Sequence, residues 1–200
     1  MSEDGRTDKT FFIRTPADLL EKLRWEANAL WDAPPYDLQQ RAYMVMNCAI
    51  TAWQMKDWVY KTLEDSERLN AFNIYAPRKI ADCKDFGKYL TETNPDMNMA
   101  FQIATASKHL QLWEDLNDPD IRTTVEPVEI NLHGGYQRGE LFILDGQESI
   151  VAHDLICRLC IYWENALHDL DLMPKEEPFV PDGDGELPPG TPRLRRKKPQ

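Results

Sequence analysis

Apolar residues recur at spacings of three and four along most of the chain as far as Leu116, and that spacing predicts helices. Thr15-Pro16 opens the first, because threonine accepts from an early backbone N–H and proline at the first helical position loses no bond. Asp18 favours the positive end of the helix dipole. The stripe is Leu19, Leu20, Leu23, Ala27, Leu30 and Trp31, and Pro34-Pro35 ends it. Asp37 caps a second, long helix to about Leu63. Ala42, Met46, Ala49 and Trp53 form one apolar row, and Val45, Ala49, Ala52 and Val59 the next. Such a helix, apolar around much of its circumference, belongs at the centre of a bundle. Residues 64–76 read as a connection and Pro77 as the start of a third helix to about Leu90. Thr93-Asn94-Pro95 breaks the pattern before a fourth helix, with Met99, Ile103, Ala106, Leu110 and Trp113 on its inner face. Asn117-Asp118-Pro119-Asp120 stops it.

The period then changes to two. Val128, Ile130 and Leu132 alternate with Glu129 and Asn131, which predicts a half-buried strand. His133 to Gly139 is turn-rich, and Leu141–Leu144 is a second strand ended by Asp145-Gly146. Together they predict a β-hairpin over about 124–145, which must lean on the helices or on another chain. Glu148 or Ser149 begins a last helix to about Leu170, with Ile150, Leu155, Leu159, Tyr162, Trp163 and Leu167 as its core. The expected fold is mainly α, a bundle of four or five helices with one β-hairpin before the last. Residues 1–10 read as a disordered arm, 11–172 as one helical domain, and 173–200 as a flexible tail, acidic and proline-rich and then basic.

Composition sharpens this picture. A hydrophobic fraction of 42% with six tryptophans in 200 residues suffices for a real core. Arg193–Lys198 holds five of the 23 basic residues, so the remainder sets 18 basic against 34 acidic residues, a charge of −16. An acidic body repels a phosphate backbone, which leaves nucleic acid only a local basic groove or the tail at 193–198. The N-terminus has no apolar signal region, and no apolar run approaches the ~18 residues that span a membrane. The expectation is a cytoplasmic protein with free thiols at Cys48, Cys83, Cys157 and Cys160.

Asn47–Tyr60 and Asn98–Trp113 are the richest segments. On the first, Tyr43, Met46, Ile50, Trp53, Asp57 and Tyr60 share one face, and a carboxylate there must find a donor. Two readings compete. Lys61, four residues on, satisfies Asp57 at the surface, or Asp57 reaches Lys108 or His109 on the facing helix as a specificity device or part of a site. His109 shares its face with Gln102, Thr105, Leu112 and Leu116, where a histidine usually packs and makes one hydrogen bond; acid–base work needs a second group and an open cleft. Cys157 and Cys160 have zinc-like spacing but sit mid-helix without two further ligands, so they read as buried thiols. His133-Gly134-Gly135 joins strands and leads into no helix, so it is not a phosphate loop. The acidic residues from Asp169 to Glu186 lack the ligand order of a calcium loop. No cofactor and no metal are expected.

Thr51-Ala52-Trp53, Asp57-Trp58 and Lys108-His109 carry a resemblance. They are similar to a group of uncharacterised bacterial proteins that pair a Thr-Ala-Trp-x-x-x-Asp-Trp helix with a later Ala-Asn-x-x-Lys-His pattern. That pattern in turn resembles HEPN-like helical bundles, whose active members are ribonucleases using a closely spaced arginine and histidine in a cleft between protomers. The resemblance implies a bacterial or phage defence or toxin–antitoxin setting. The chain departs from it: Thr105 stands where the pattern has asparagine, and Phe101, Gln102 and Ile103 stand where an arginine is needed before His109. Lys108 supplies charge without the planar fork of arginine. An inactive or repurposed copy is therefore expected.

The favoured function is a non-enzymatic interaction protein that dimerises or joins a larger complex, because six tryptophans and seven tyrosines exceed what a small core must hold. Two alternatives stand beside it. One is a metal-independent ribonuclease using His109 with Lys108 and Asp57. The other is an acidic nucleic-acid mimic, on the strength of the −16 body.

Overall fold

The first helix, α1 (Pro16–Asp32), begins in a reciprocal capping box. The Thr15 hydroxyl accepts from the Asp18 N–H, and the Asp18 carboxylate accepts from the Thr15 N–H. Asp37 caps α2 (Leu38–Asp65) by accepting from the Gln40 N–H. Three shorter helices follow: α3 (Leu69–Tyr75), α4 (Cys83–Thr93) and α5 (Pro95–Ala106). Asp82 caps α4; Asn94 ends it and caps α5 by accepting from the N–H groups of Asp96 and Met97. An antiparallel sheet of β1 (Ile121–Ile130), β2 (Gln137–Asp145) and β3 (Glu148–Val151) precedes α6 (Ala152–Asp169). These elements come from a computed structural model that describes residues 10–66, 68–75, 79–107, 117–130 and 137–173.

The helix α2 is the centre of the bundle. Val45, Cys48, Ala49, Ala52, Met55 and Val59 are buried on it, and α1, α4, α5 and α6 pack around it. Small residues at Ala49 and Ala52 let neighbours approach closely. Leu20, Leu23 and Leu30 close one side, Met97 and Met99 another, and Leu155, Leu159, Trp163 and Leu167 a third, in one continuous core. The adjacent row runs differently from the sequence expectation: Met46 is 37% exposed and Trp53 is only partly covered. Trp31, placed on the α1 stripe by periodicity, is 72% exposed at the edge of that stripe, although Leu30 beside it in the same turn is buried in the core.

The sheet is larger than the expected hairpin. β1 starts at Ile121, paired with Asp145, and its register shifts between Pro127 and Glu129, where proline can give the ladder no N–H. The predicted helix start at Glu148 or Ser149 is a third strand instead. Gly146 takes φ +59° in the two-residue turn before it, and Glu148–Val151 pairs back along β2 to Phe142. β-branched Ile150 and Val151 suit a strand, so Ile150 belongs to the sheet and α6 begins at Ala152. Leu141 and Ile143 turn inward, and Arg41 of α2 grips the sheet through Glu140.

Three boundaries move. Residues 69–75 form α3 within the expected connection, α4 starts at Cys83, and α5 ends at Ala106. Pro77, Leu110, Leu116 and Trp113 lie outside the described residues, as do the arm to residue 9 and the tail from residue 174. Among the described residues no helix is long and apolar enough to cross a membrane.

Candidate functional site

Helices α2, α4 and α5 leave an open groove of about 760 Å³ between them. Each contributes a stripe at helical spacing. From α2 come Trp53, Lys56 and Asp57; from α4, Cys83, Lys84, Gly87, Lys88 and Thr91; from α5, Asn98, Phe101 and Gln102. The segment 117–119 closes one end. There the Asn98 amide donates to the Asp118 carboxylate at 3.0 Å, and the Asp118 N–H donates to the Gln102 side-chain oxygen at 3.3 Å.

The floor is aromatic. The rings of Trp53 and Phe101 lie 4.8 Å apart at 48°, and the Lys56 ammonium stands 5.1 Å above the Trp53 ring. The aliphatic part of Lys56 runs past Gly87, where a β-carbon would come within 3.2 Å of Lys56 Cδ and 3.3 Å of Trp53. A side chain on α4 at this point would push the lysine off the floor, so the glycine permits the close approach.

Asp57 sits at the mouth with its side chain 54% exposed. Its Oδ1 accepts from the Lys56 ammonium at 2.5 Å and from the Cys83 thiol at 2.9 Å, and Lys56 Nζ lies 3.6 Å from Cys83 Sγ. Lys61, the expected surface partner, pairs with Glu64 and Asp65 instead. Cys83 is the first residue of α4, a position whose dipole favours thiolate. Burial and the hydrogen bond to Asp57 outweigh that and the Lys56 charge, pushing the thiol up to about 11. At neutral pH it is a protonated, weak nucleophile. Beyond this cluster, Lys84 and Lys88 stand one turn apart on α4. Lys88 pairs loosely with Glu92, 3.7 Å away, and among the described residues Lys84 has no ion pair. In a chain of net charge −11, this rim is a local concentration of lysines.

Of the three residues named from the sequence, Asp57 lines the groove, while Lys108 and His109 lie outside the described residues, and with them the postulated contact between Asp57 and His109. The sequence marks Cys83 only as a free thiol and assigns Lys84, Gly87 and Lys88 to no site, yet all four line the groove. Their spacing of one, three and one marks a single helix face, which the expected helix from Pro77 to about Leu90 already contained; what no local spacing shows is that this face meets α2 and α5. Cys157 and Cys160 are partly buried free thiols. Cys157 lies 3.6 Å from His153 Nε2, and burial pushes Cys160 up to about 11.

The tryptophans divide sharply. Trp163 is buried, Trp53 and Trp58 are partly covered, and Trp25 and Trp31 are 71% and 72% exposed on α1. Compared with protein-family models, curated proteins and solved structures, the chain matches none.

Proposed function

We propose that this chain is a non-enzymatic interaction protein whose α2–α4–α5 groove receives an acidic segment of a protein partner, anchored by an aromatic side chain. The observation that carries this reading is the division of labour in the groove. Asp57, Lys56 and Cys83 satisfy one another, while Trp53, Phe101, Lys84 and Lys88 face the opening. An incoming ring gains contact with the floor, and carboxylates beside it meet the lysine rim. The acidic body excludes other polyanions through its field, so the rim acts at close range and favours a short segment over a nucleic-acid duplex. The protonated Cys83 thiol supports binding over nucleophilic chemistry. The partner is a second copy or another component of a complex, in the defence setting that the sequence resemblance implies.

The test is selection of peptides from a randomised display library on the full chain. The reading expects an enriched aromatic flanked by Asp or Glu, with affinity falling at least about tenfold on Lys84→Glu together with Lys88→Glu, and more steeply at low salt. Selected peptides without acids, or ones indifferent to both lysines, would contradict it. The ribonuclease alternative has one observation in its favour: Lys108 and His109 follow in sequence one residue, the cap Ser107, after α5, which lines the groove. It expects RNA cleavage by the purified chain that His109→Ala abolishes while the fold persists.

A further inference from the structure

Cys83 differs from the other described thiols in having an amine beside it. Cys48 is fully buried in the core, Cys157 faces His153, and Cys160 packs between α6 and its neighbours. Cys83 Sγ lies 3.6 Å from Lys56 Nζ, and both contact the same oxygen of Asp57. The lysine is held in place. Its stem runs past Gly87, where an added β-carbon would come within 3.2 Å of it, its ammonium lies over Trp53, and its side chain is 14% exposed. Cys83 is partly exposed and lines the open groove, which admits small oxidants.

We propose that Cys83 and Lys56 are a redox modification site, joined by dioxygen into a covalent sulfur–oxygen–nitrogen bridge. The reaction balances as RSH + R′NH2 + O2 → RS–O–NHR′ + H2O. The S–H bond and one N–H bond break, and an S–O and an O–N bond form. Sulfur and nitrogen each give up two electrons, and dioxygen takes all four. One oxygen atom becomes the bridge and the other leaves as water with the two displaced hydrogens. The ammonium first loses a proton to Asp57 Oδ1, which already accepts its hydrogen bond, and from there to water. Burial and Asp57 keep the thiol protonated, so the reaction is slow at neutral pH and quickens as the pH approaches 11. This sets it apart from a low-pKa peroxide sensor.

The bridge removes one positive charge from the groove and frees the Asp57 carboxylate. If the groove takes acidic segments, as proposed above, oxidation weakens that binding. This consequence rests on the groove reading; the bridge itself does not.

The experiment is mass spectrometry of the purified full chain, reduced and then held in oxygenated or anaerobic buffer. The expected product is a cross-link between the peptides containing Lys56 and Cys83 with a gain of about 14 Da, one oxygen added and two hydrogens lost. With ¹⁸O₂ the gain becomes about 16 Da, and dithiothreitol reverses it. Lys56→Arg keeps the charge beside Asp57, forms no bridge, and leaves Cys83 to oxidise to sulfinic acid or a disulfide. A wild-type Cys83 that ends as thiol, sulfinic acid or disulfide, with Lys56 unmodified, overturns the proposal. Peptide binding by the reduced protein is measured in parallel. Intact binding without a bridge rejects this inference alone, and a bridge without binding rejects the groove reading alone.

Discussion

The indole N–H of Trp163 donates to the backbone carbonyl of Ala52 across the α2–α6 interface at 2.9 Å, with Trp163 buried. A helix carbonyl in mid-helix already serves the ladder, so the bond uses its second lone pair and leaves no buried indole N–H unpaired. It also fixes α6 against the small residues of α2, the surface opposite in role to the groove-lining stripe.

Trp163→Phe removes the donor and part of the ring. The expected loss is about 1–3 kcal/mol, from the vacated volume and the unmade bond. Urea unfolding of the full chain, with the slope unchanged and the midpoint lowered, checks this. An unchanged midpoint would show that the bond does not hold the two helices.

Arg41 and Glu140 tie the sheet to α2 in a pair at 2.7 Å, with side chains only 11% and 14% exposed. Glu140→Gln leaves a largely buried guanidinium without its counter-charge and is expected to cost about 3 kcal/mol, since the amide oxygen still accepts a hydrogen bond. Replacing both residues with leucine should cost less than the two single changes summed, which a double-mutant cycle measures. Gly139→Ala, next to this pair, places a β-carbon 2.6 Å from Leu38 Cδ1 and should destabilise by about 1–2 kcal/mol as Leu38 is displaced.

Much of the bundle was legible because its signals are local. The Thr15 box, the Asp37 cap, the Asn94-Pro95 break and the α1 and α6 stripes depend on residues within one or two turns. The errors fall where a distant partner decides. Glu148–Val151 pairs with β2 through a turn, and no helical or strand periodicity over four residues could reveal that. In the groove, Asp57 was identifiable as a carboxylate on an apolar face. Its partner was not, because Cys83 lies 26 residues away and reaches it only through the packing of α4 on α2. Lys61, the neighbour that sequence spacing favours, has two nearer carboxylates in Glu64 and Asp65.

Alkaline pH should unfold the protein through its buried thiols. Burial pushes the Cys48 thiol up to about 12 from an ordinary value of 9.0. Above pH 9 the unfolded chain releases this proton and the folded chain keeps it. The unfolded state then binds fewer protons, and stability falls as the pH rises until the folded thiol also ionises. At pH 10.5 Cys48 contributes a loss on the order of 2 kcal/mol. Tyr162, pushed up to about 12 by burial, adds to the loss above pH 10. The check is urea unfolding at pH 8 and 10.5, where Cys48→Ala should show a smaller drop between the two than wild type.

Gly87→Ala tests the groove without removing any of its charges, by displacing the Lys56 stem from the floor. Alanine favours the helix by about 1 kcal/mol, while its β-carbon crowds Lys56 and Trp53 at 3.2 and 3.3 Å. Stability should stay within about 1 kcal/mol of wild type, with weaker peptide binding as the floor is reshaped. Equal binding would mean that the ligand does not sit at this depth.

The most direct test of the account is chemical-shift mapping of a selected acidic, aromatic peptide on the isotope-labelled full chain. The account predicts shifts concentrated on Trp53 and its indole, on Cys83–Thr91 and on Asn98–Gln102, all suppressed by Lys84→Glu with Lys88→Glu. Shifts centred instead on Trp25 and Trp31 of α1, with the groove silent, would contradict it.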